Sequence, residues 1–262
     1  MALLPTPARA WIRHRFTAGN RHDVHSPFVF ALVNEVLRTR TPRSTTAGVE
    51  ALRAELLNSK DLVEVMDLGA GSRRDNAPKR RVADIARTAL KPRRQAEQLG
   101  RLAAYFKPNT VLELGTSLGI TTLHLAQAAP WAEVHTIEGS PAIAAIASGH
   151  FRRMQASNIR MHTGSFTDQL PAVLGKMGRL DLAYIDGHHA AAPTLDYFGQ
   201  CLAKAHDGSV FILDDIHWSD GMEEAWEAVK AHPRVTVTID LFHHGLVFLR
   251  TGRQKQHFVL RY

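Results

Sequence analysis

The stretch that most constrains this chain is Val111 to Gly119, Val-Leu-Glu-Leu-Gly-Thr-Ser-Leu-Gly, followed directly by Ile-Thr-Thr-Leu-His-Leu-Ala. A short apolar run, a glycine-spaced loop and a new apolar run describe a buried strand, a tight turn and the first turn of a helix. Gly115 and Gly119 permit dihedrals and close backbone approach that a Cβ would block. A turn of this kind holds a nucleotide-like ligand.

The next acidic punctuation narrows the ligand. Glu133 to Ile137 reads as a second strand with Glu138 at its carboxyl end, about 20 residues past the glycines, where a carboxylate can accept both ribose hydroxyls of an adenosine. Two details turn the reading away from NAD. The glycines are spaced G-x-x-x-G rather than G-x-G-x-x-G. Glu113 also lies inside the first strand, where it can hold an ammonium directly or through water and would repel a pyrophosphate.

The rest of the carboxyl-terminal part alternates strand and helix with short joints, the pattern of a doubly wound α/β sheet. Helices are expected over 120–128, 141–156, 194–205 and 219–231, and strands over 159–163, 180–185 and 208–213. Gly164, Ser165 and Phe166 end one strand, Asp186-Gly187-His188-His189 the next, and Asp214-Asp215-Ile216-His217-Trp218 the one after. Residues 235–240 and 245–250 read as a closing antiparallel pair joined through His243-His244, two histidines expected at the surface of a distal turn. The tail from Gln254 reads as a further short strand or extended segment.

Residues 111–250 resemble a class I S-adenosylmethionine-dependent methyltransferase, with Glu-Leu-Gly-Thr-Ser-Leu-Gly, Thr-Ile-Glu-Gly and Tyr-Ile-Asp-Gly-His-His as its motifs. The nearest likeness is to small-molecule O-methyltransferases. The resemblance implies a Rossmann-like, mostly parallel seven-stranded sheet with an antiparallel closing strand. It also implies a cofactor set of Glu113, Gly115, Thr116, Ser117, Gly119, Glu138, Gly164, Ser165, Phe166 and Asp186. Phe166 reads equally well as core.

Two devices for deprotonating an acceptor stand side by side. Relatives that bind a divalent metal place ligands where this chain has Asp186, Asp214 and Asp215, which would suit Mg²⁺, although Asp stands where that family often has Asn. A histidine base among His188, His189 and His217, with Asp186 beside it, forms the alternative, since imidazole titrates near neutral pH; Asp186, His189 and His217 are the catalytic set expected. One carboxylate of the Asp214-Asp215 pair could instead cap the helix starting near Ser219.

Residues 1–107 read as a mainly helical annex or lid and 108–262 as the cofactor-binding domain. The annex carries 20 Lys/Arg against 10 Asp/Glu, and the remainder 12 against 15, so the net charge of +7 belongs to the annex. Such asymmetry fits either a solvated basic face or an acidic partner. Trp11, Ile12 and Phe16 among arginines suit a packed helix or a membrane surface. Helices are expected over 28–38, 46–58, 80–90 and 94–106. A second glycine-rich run, Asp67-Leu-Gly69-Ala-Gly71-Ser72, imitates the cofactor loop, but the polar stretch after it opens no helix. It reads as a turn of the annex over the active site.

The lone Cys201, in an apolar helical pattern, excludes an intramolecular disulfide and a cysteine metal cluster. No apolar run approaches the ~20 residues of a membrane span, and no signal-peptide pattern opens the chain, so a cytoplasmic enzyme is expected. The partner expected is a small-molecule acceptor. A nucleic-acid methyltransferase using the basic annex, a catalytically silent cofactor-binding module and an NAD-dependent enzyme are the other readings, and the sequence sets no oligomeric state.

Overall fold

The computed structural model describes residues 5–65, 79–252 and 254–262. Proline and serine punctuation sets the first helices. Helix α1 (Thr6–Thr17) carries Pro7 in its first turn, where a missing N–H costs no helical bond. Helix α2 (Pro27–Leu32) opens on Ser26, whose Oγ accepts from Val29 N, and continues as a π-helical turn over Val33–Leu37. Together they make the helix expected to run to about residue 38.

Helix α3 (Arg43–Asn58) is followed by an antiparallel pair of short strands, β1 (Leu62–Glu64) and β2 (Lys79–Arg81), and by helices α4 (Val82–Ala89) and α5 (Arg93–Phe106). The Asp67–Ser72 imitation of the cofactor loop lies outside the described residues. Lys107 takes a left-handed conformation (φ 49°) that ends α5 and turns the chain into β3 (Thr110–Leu114). Then come α6 (Ile120–Ala128), β4 (Glu133–Glu138), α7 (Pro141–Arg153), β5 (Ile159–Thr163) and α8 (Phe166–Lys176). The chain continues through β6 (Leu180–Ile185), α9 (Ala191–Leu202), β7 (Ala205–Asp214), α10 (Asp220–Ala231), β8 (Val237–Asp240), β9 (His244–Phe248) and β10 (Gln256–Val259).

The architecture is mixed α/β with a large, mostly parallel sheet. That sheet has eight strands rather than the seven expected, because the tail supplies β10. The chain forms two compact units, one of Met1–Thr39 with Met177–Tyr262 and one of Arg40–Lys176, a division different from a break at residue 107.

The second unit contributes β3, β4 and β5, parallel throughout. Its core joins residues of 40–106 to the region of the glycine loop. Val49, Leu52 and Leu56 of α3 and Val82, Ile85 and Ala86 of α4 share one apolar cluster with Leu118, Ile120 and Leu123 beside the glycine loop and Ala147 and Phe151 of α7. A buried polar network reinforces it. Glu50 meets His124 Nε2 at 3.1 Å and Arg53 at 3.0 Å, and the charges and hydrogen bonds of these two hold its carboxyl below the ordinary value against the opposing effect of burial.

The first unit contributes β6 and β7 in parallel, then β9 antiparallel between β7 and β8, and β10 parallel to β8. Residues 1–39 belong here because they are stitched to the carboxyl-terminal part. Gly19 exchanges backbone bonds of 2.9 and 3.0 Å with Val259 and Arg261. Arg9 pairs with Asp220 at 2.6 Å, and Arg13 pairs with Glu223. Cys201 is fully buried and its thiol is pushed up to about 12, which makes it an inert core residue. Among the described residues no helix is long and apolar enough to cross a membrane.

Candidate functional site

In the second unit the loop after β3 is built from three left-handed residues in five positions: Gly115 (φ 98°), Ser117 (φ 48°) and Gly119 (φ 83°). Backbone N–H groups of Gly115 and Thr116 donate to Ile137 O of β4 (3.0 and 3.3 Å), and Gly119 N donates to Thr116 O (2.9 Å). A Cβ on Gly119 would stand 2.6 Å from Phe151 Cε1. The glycine is therefore required by both conformation and space.

Glu138 closes this loop from the neighbouring strand. Ser117 N donates to its Oε2 (2.8 Å) and Ser140 N to its Oε1 (2.9 Å). Both oxygens are thereby held at the carboxyl end of β4, where a carboxylate can meet a vicinal diol. Next to it the Ser140 hydroxyl is buried with no hydrogen-bond partner among the described residues. A polar cradle with an unanswered hydroxyl fits an adenosine-bearing cofactor.

Glu113 is fully buried behind the loop. Its Oε2 accepts from Thr122 Oγ1 of α6 (2.5 Å) and Thr136 Oγ1 of β4 (2.6 Å), and Thr136 in turn meets Thr116 Oγ1 at 2.5 Å. The carboxylate thus ties the loop, the following helix and the adjacent strand together. Gly164 (φ 141°) donates to Glu138 O at 2.9 Å. Ser165 Oγ donates to Asp168 Oδ2 (2.6 Å) and accepts from Asp168 N (3.2 Å), which places it as the cap of α8, while Phe166 is half-buried at the start of that helix.

In the first unit a second polar group gathers at the carboxyl ends of β6 and β7. The fully buried Tyr184 hydroxyl lies 3.0 Å from Asp186 Oδ2 and 3.2 Å from Asp214 Oδ1. His244 Nε2 is 3.1 Å from the same Asp214 oxygen, although its N–H is not aligned with it. Register corrects the expectation of a distal surface turn: Asp214 pairs with His244 across β7 and β9, so His244 is buried at the carboxyl end of β7, while His243 is exposed.

The expectation of a cation site at Asp186, Asp214 and Asp215 is corrected too. Asp214 is buried with its Oδ1 facing a phenol and an imidazole, Asp186 shares that phenol, and Asp215 takes a left-handed backbone (φ 49°) with its N–H on His243 O. No group of three His, Cys, Asp or Glu able to hold a metal occurs among the described residues. With Asp214 Oδ1 turned toward the phenol and imidazole, the three aspartates do not converge as a ligand set among the described residues. The helix at 220 is capped by Ser219, whose Oγ accepts from Met222 N, rather than by either aspartate.

The three histidines divide. His217 is corrected from base to structural cation: Nδ1 meets Glu223 Oε1 at 2.7 Å, Nε2 meets Asp240 Oδ2 at 2.8 Å, and the ring stacks on Phe242. Burial works against its charge, but the two carboxylates outweigh that and raise its pKa. With both nitrogens engaged it has none left for an acceptor. His188 Nδ1 lies 2.9 Å from Tyr197 OH. His189 remains, 31% exposed, with Nε2 3.7 Å from Asp186 Oδ1 and its ring beside Trp218. His188 (φ 64°) and His189 (φ 39°) are consecutive left-handed residues without being glycines, a strain that clusters at functional sites.

Sequence reasoning missed Tyr184, Ser140 and the Thr122–Thr136 pair. Tyr184 was within reach, since it stands two residues before Asp186 on a strand and shares its face.

Comparison with known proteins bears on this geometry. Residues 112–216 match a methyltransferase domain family. The span runs from the cofactor loop through Glu138 and Asp186 to the end of β7. That stretch is a methyltransferase domain. The chain is similar to a protein of Niastella koreensis named catechol O-methyltransferase, 30% identical over 125 residues, a match covering 47% of this chain and 56% of that protein's length. A protein of Mycobacterium tuberculosis with the same name is 29% identical over 167 residues, covering 63% of this chain and 74% of its own. An O-methyltransferase from Bacillus cereus, solved in complex with S-adenosylhomocysteine, has the same fold, with a TM-score of 0.54, 20% identity and coverage of 84% of this chain and 96% of its own.

Proposed function

We propose that this methyltransferase moves the methyl group of S-adenosylmethionine to a hydroxyl of a small or medium-sized acceptor, with a catechol as the first acceptor to test, because the relatives above carry that substrate in their names. The observation that carries the reading is Glu138, fixed by two backbone N–H groups beside the glycine loop at the strand end where a carboxylate can meet a ribose diol. Ser140 Oγ adds a hydroxyl to the same cradle, and Glu113 keeps the loop in shape through Thr122 and Thr136.

The bound cofactor supplies an electrophilic methyl carried on a sulfonium. What remains for the chain is to orient the acceptor oxygen and remove its proton. His189 takes that proton. With Nε2 facing Asp186, the imidazole receives it on Nδ1, and the Asp186 carboxylate stabilises the imidazolium that forms. Tyr184 holds Asp186 from below through its phenol. No step runs through a divalent cation, so dialysis against EDTA is expected to leave turnover unchanged. Cytoplasmic residence belongs to the same reading, supported by the single, buried cysteine.

Calorimetric titration with S-adenosylhomocysteine tests the cofactor half. Saturable binding is expected, weakened about 10- to 100-fold in Glu138→Ala, as the loss of charge-assisted hydrogen bonds implies. No heat from the wild-type protein at high concentration overturns the reading. Mass spectrometry of catechol incubated with S-adenosylmethionine tests the transfer: a product heavier by one CH₂ is expected, with kcat lowered about 100-fold or more in His189→Ala. An unaffected His189→Ala removes the histidine from the chemistry.

A further inference from the structure

We propose that the first unit carries a second ligand site, for a small oxyanion-bearing molecule, at the opposite end of its strands from Asp186 and Asp214. A cavity of about 340 Å³ opens there between His25-Ser26-Pro27-Phe28, the start of β8 at Val237, Arg250 after β9, and the segment leading into β10 with Gln254 and Gln256. Strand register separates the two places. Asp214 pairs with His244 at one end of β9, whereas Val237 and Val210 pair with Phe248 at its other end, two residues before Arg250.

The chemistry of the lining is one-sided. Pro27, Phe28 and Val237 make an apolar floor, His25, Arg250, Gln254 and Gln256 can supply donors, and among the described residues no Asp or Glu lines the cavity. Arg250 is half-buried, and its guanidinium carbon sits 4.2 Å from the centre of the Phe28 ring, which itself packs edge-on against Phe248. Stacking occupies the face of the guanidinium and leaves its N–H edge for a planar or tetrahedral oxyanion. Among the described residues no carboxylate pairs with Arg250, and the side chains of His25, Gln254 and Gln256 make no hydrogen bond there. The neighbouring Lys255 takes no part, because its Nζ is held by Ala231 O and His232 O at 2.8 and 2.9 Å.

A partly desolvated cation with neutral side chains around it and no carboxylate partner among the described residues favours an anion. Carboxylate and phosphate share that chemistry, and the volume, near the small end of ligand pockets, suits a compact molecule.

The experiment uses the full-length protein at constant ionic strength in a buffer free of both anions. Inorganic phosphate and benzoate are titrated separately, read by calorimetry and by the shift in thermal midpoint. Saturable binding of either probe is expected, phosphate alone assigning a phosphoryl ligand and benzoate alone a carboxylate. Arg250→Gln should weaken it at least about tenfold, as loss of a charged hydrogen-bonding partner does. Gln256→Glu changes an exposed residue and sets a carboxylate at the mouth, so it should weaken binding similarly even if Arg250→Gln folds poorly. Cofactor binding should be unchanged in both variants. Absence of saturation by both probes, or affinity indifferent to Gln256→Glu, overturns the proposal.

Discussion

His217 shows how a side chain suited to catalysis is converted to structure. It is 7% exposed and clasped by Glu223 and Asp240, while His14 Nε2 approaches the other oxygen of Asp240 at 3.7 Å and Arg13 pairs with Glu223. Its folded pKa lies above the unfolded 6.5, so its stabilisation is complete below pH 6.5 and is lost as pH rises through the folded value. Asp240, lowered by His217 despite burial, contributes above its unfolded 3.8 and loses that as pH falls through its own folded value. His14, held down mainly by burial, has the opposite sign to His217 and destabilises as pH drops below 6.5. His217→Ala isolates the histidine from the other two: it should cost about 3 kcal/mol near pH 6, the price of breaking a buried pair. In urea unfolding at several pH values, the gap to wild type should shrink toward pH 9. A gap independent of pH would refute the charged assignment.

Tyr184 makes a second residue-scale case. Tyr184→Phe removes the phenol between Asp186 and Asp214, and about 1–3 kcal/mol of stability should go with it. Turnover should fall with KM little changed if Asp186 needs that support to orient His189.

At the scale of elements, the strand-loop-helix unit of β3, residues 115–119 and α6 is held by backbone geometry rather than by side chains alone. Gly119→Ala meets two obstacles together, a left-handed backbone worth about 1–2 kcal/mol and a Cβ 2.6 Å from Phe151. A loss of about 3 kcal/mol in urea unfolding is expected, with weakened S-adenosylhomocysteine binding because the same turn presents Ser117 N to Glu138. The sheet edge carries a parallel lesson. β10 joins β8 in parallel, and Gly19 bridges to Leu260 beside it, so both ends of the chain cover what would be an open strand edge.

For the whole molecule, ligand binding and stability are linked by mass action. S-adenosylhomocysteine at 100 times its Kd should add about 2.7 kcal/mol, raising the thermal midpoint by roughly 5–10 °C for a chain of this size. A midpoint indifferent to the ligand would contradict the cofactor assignment. The order of strands and helices after residue 108 was legible from periodicity and from Gly, Pro and Ser punctuation, because those signals act within a few residues of where they stand. Helix α8 carries a weaker local signal, because Ser165 reads as a ligand contact until folding pairs it with Asp168 as the helix cap.

The glycine loop and the acid at 138 were likewise fixed locally: φ requirements and a strand end need no distant partner to be recognised. What only the tertiary structure decided was the allegiance of the charged side chains. Asp214 meets Tyr184 and His244, His217 meets Glu223 and Asp240, and residues 1–39 join the carboxyl-terminal unit. These choices depend on strand register and on which faces pack together, and a carboxylate or imidazole carries no local mark of the partner that folding will place 3 Å away.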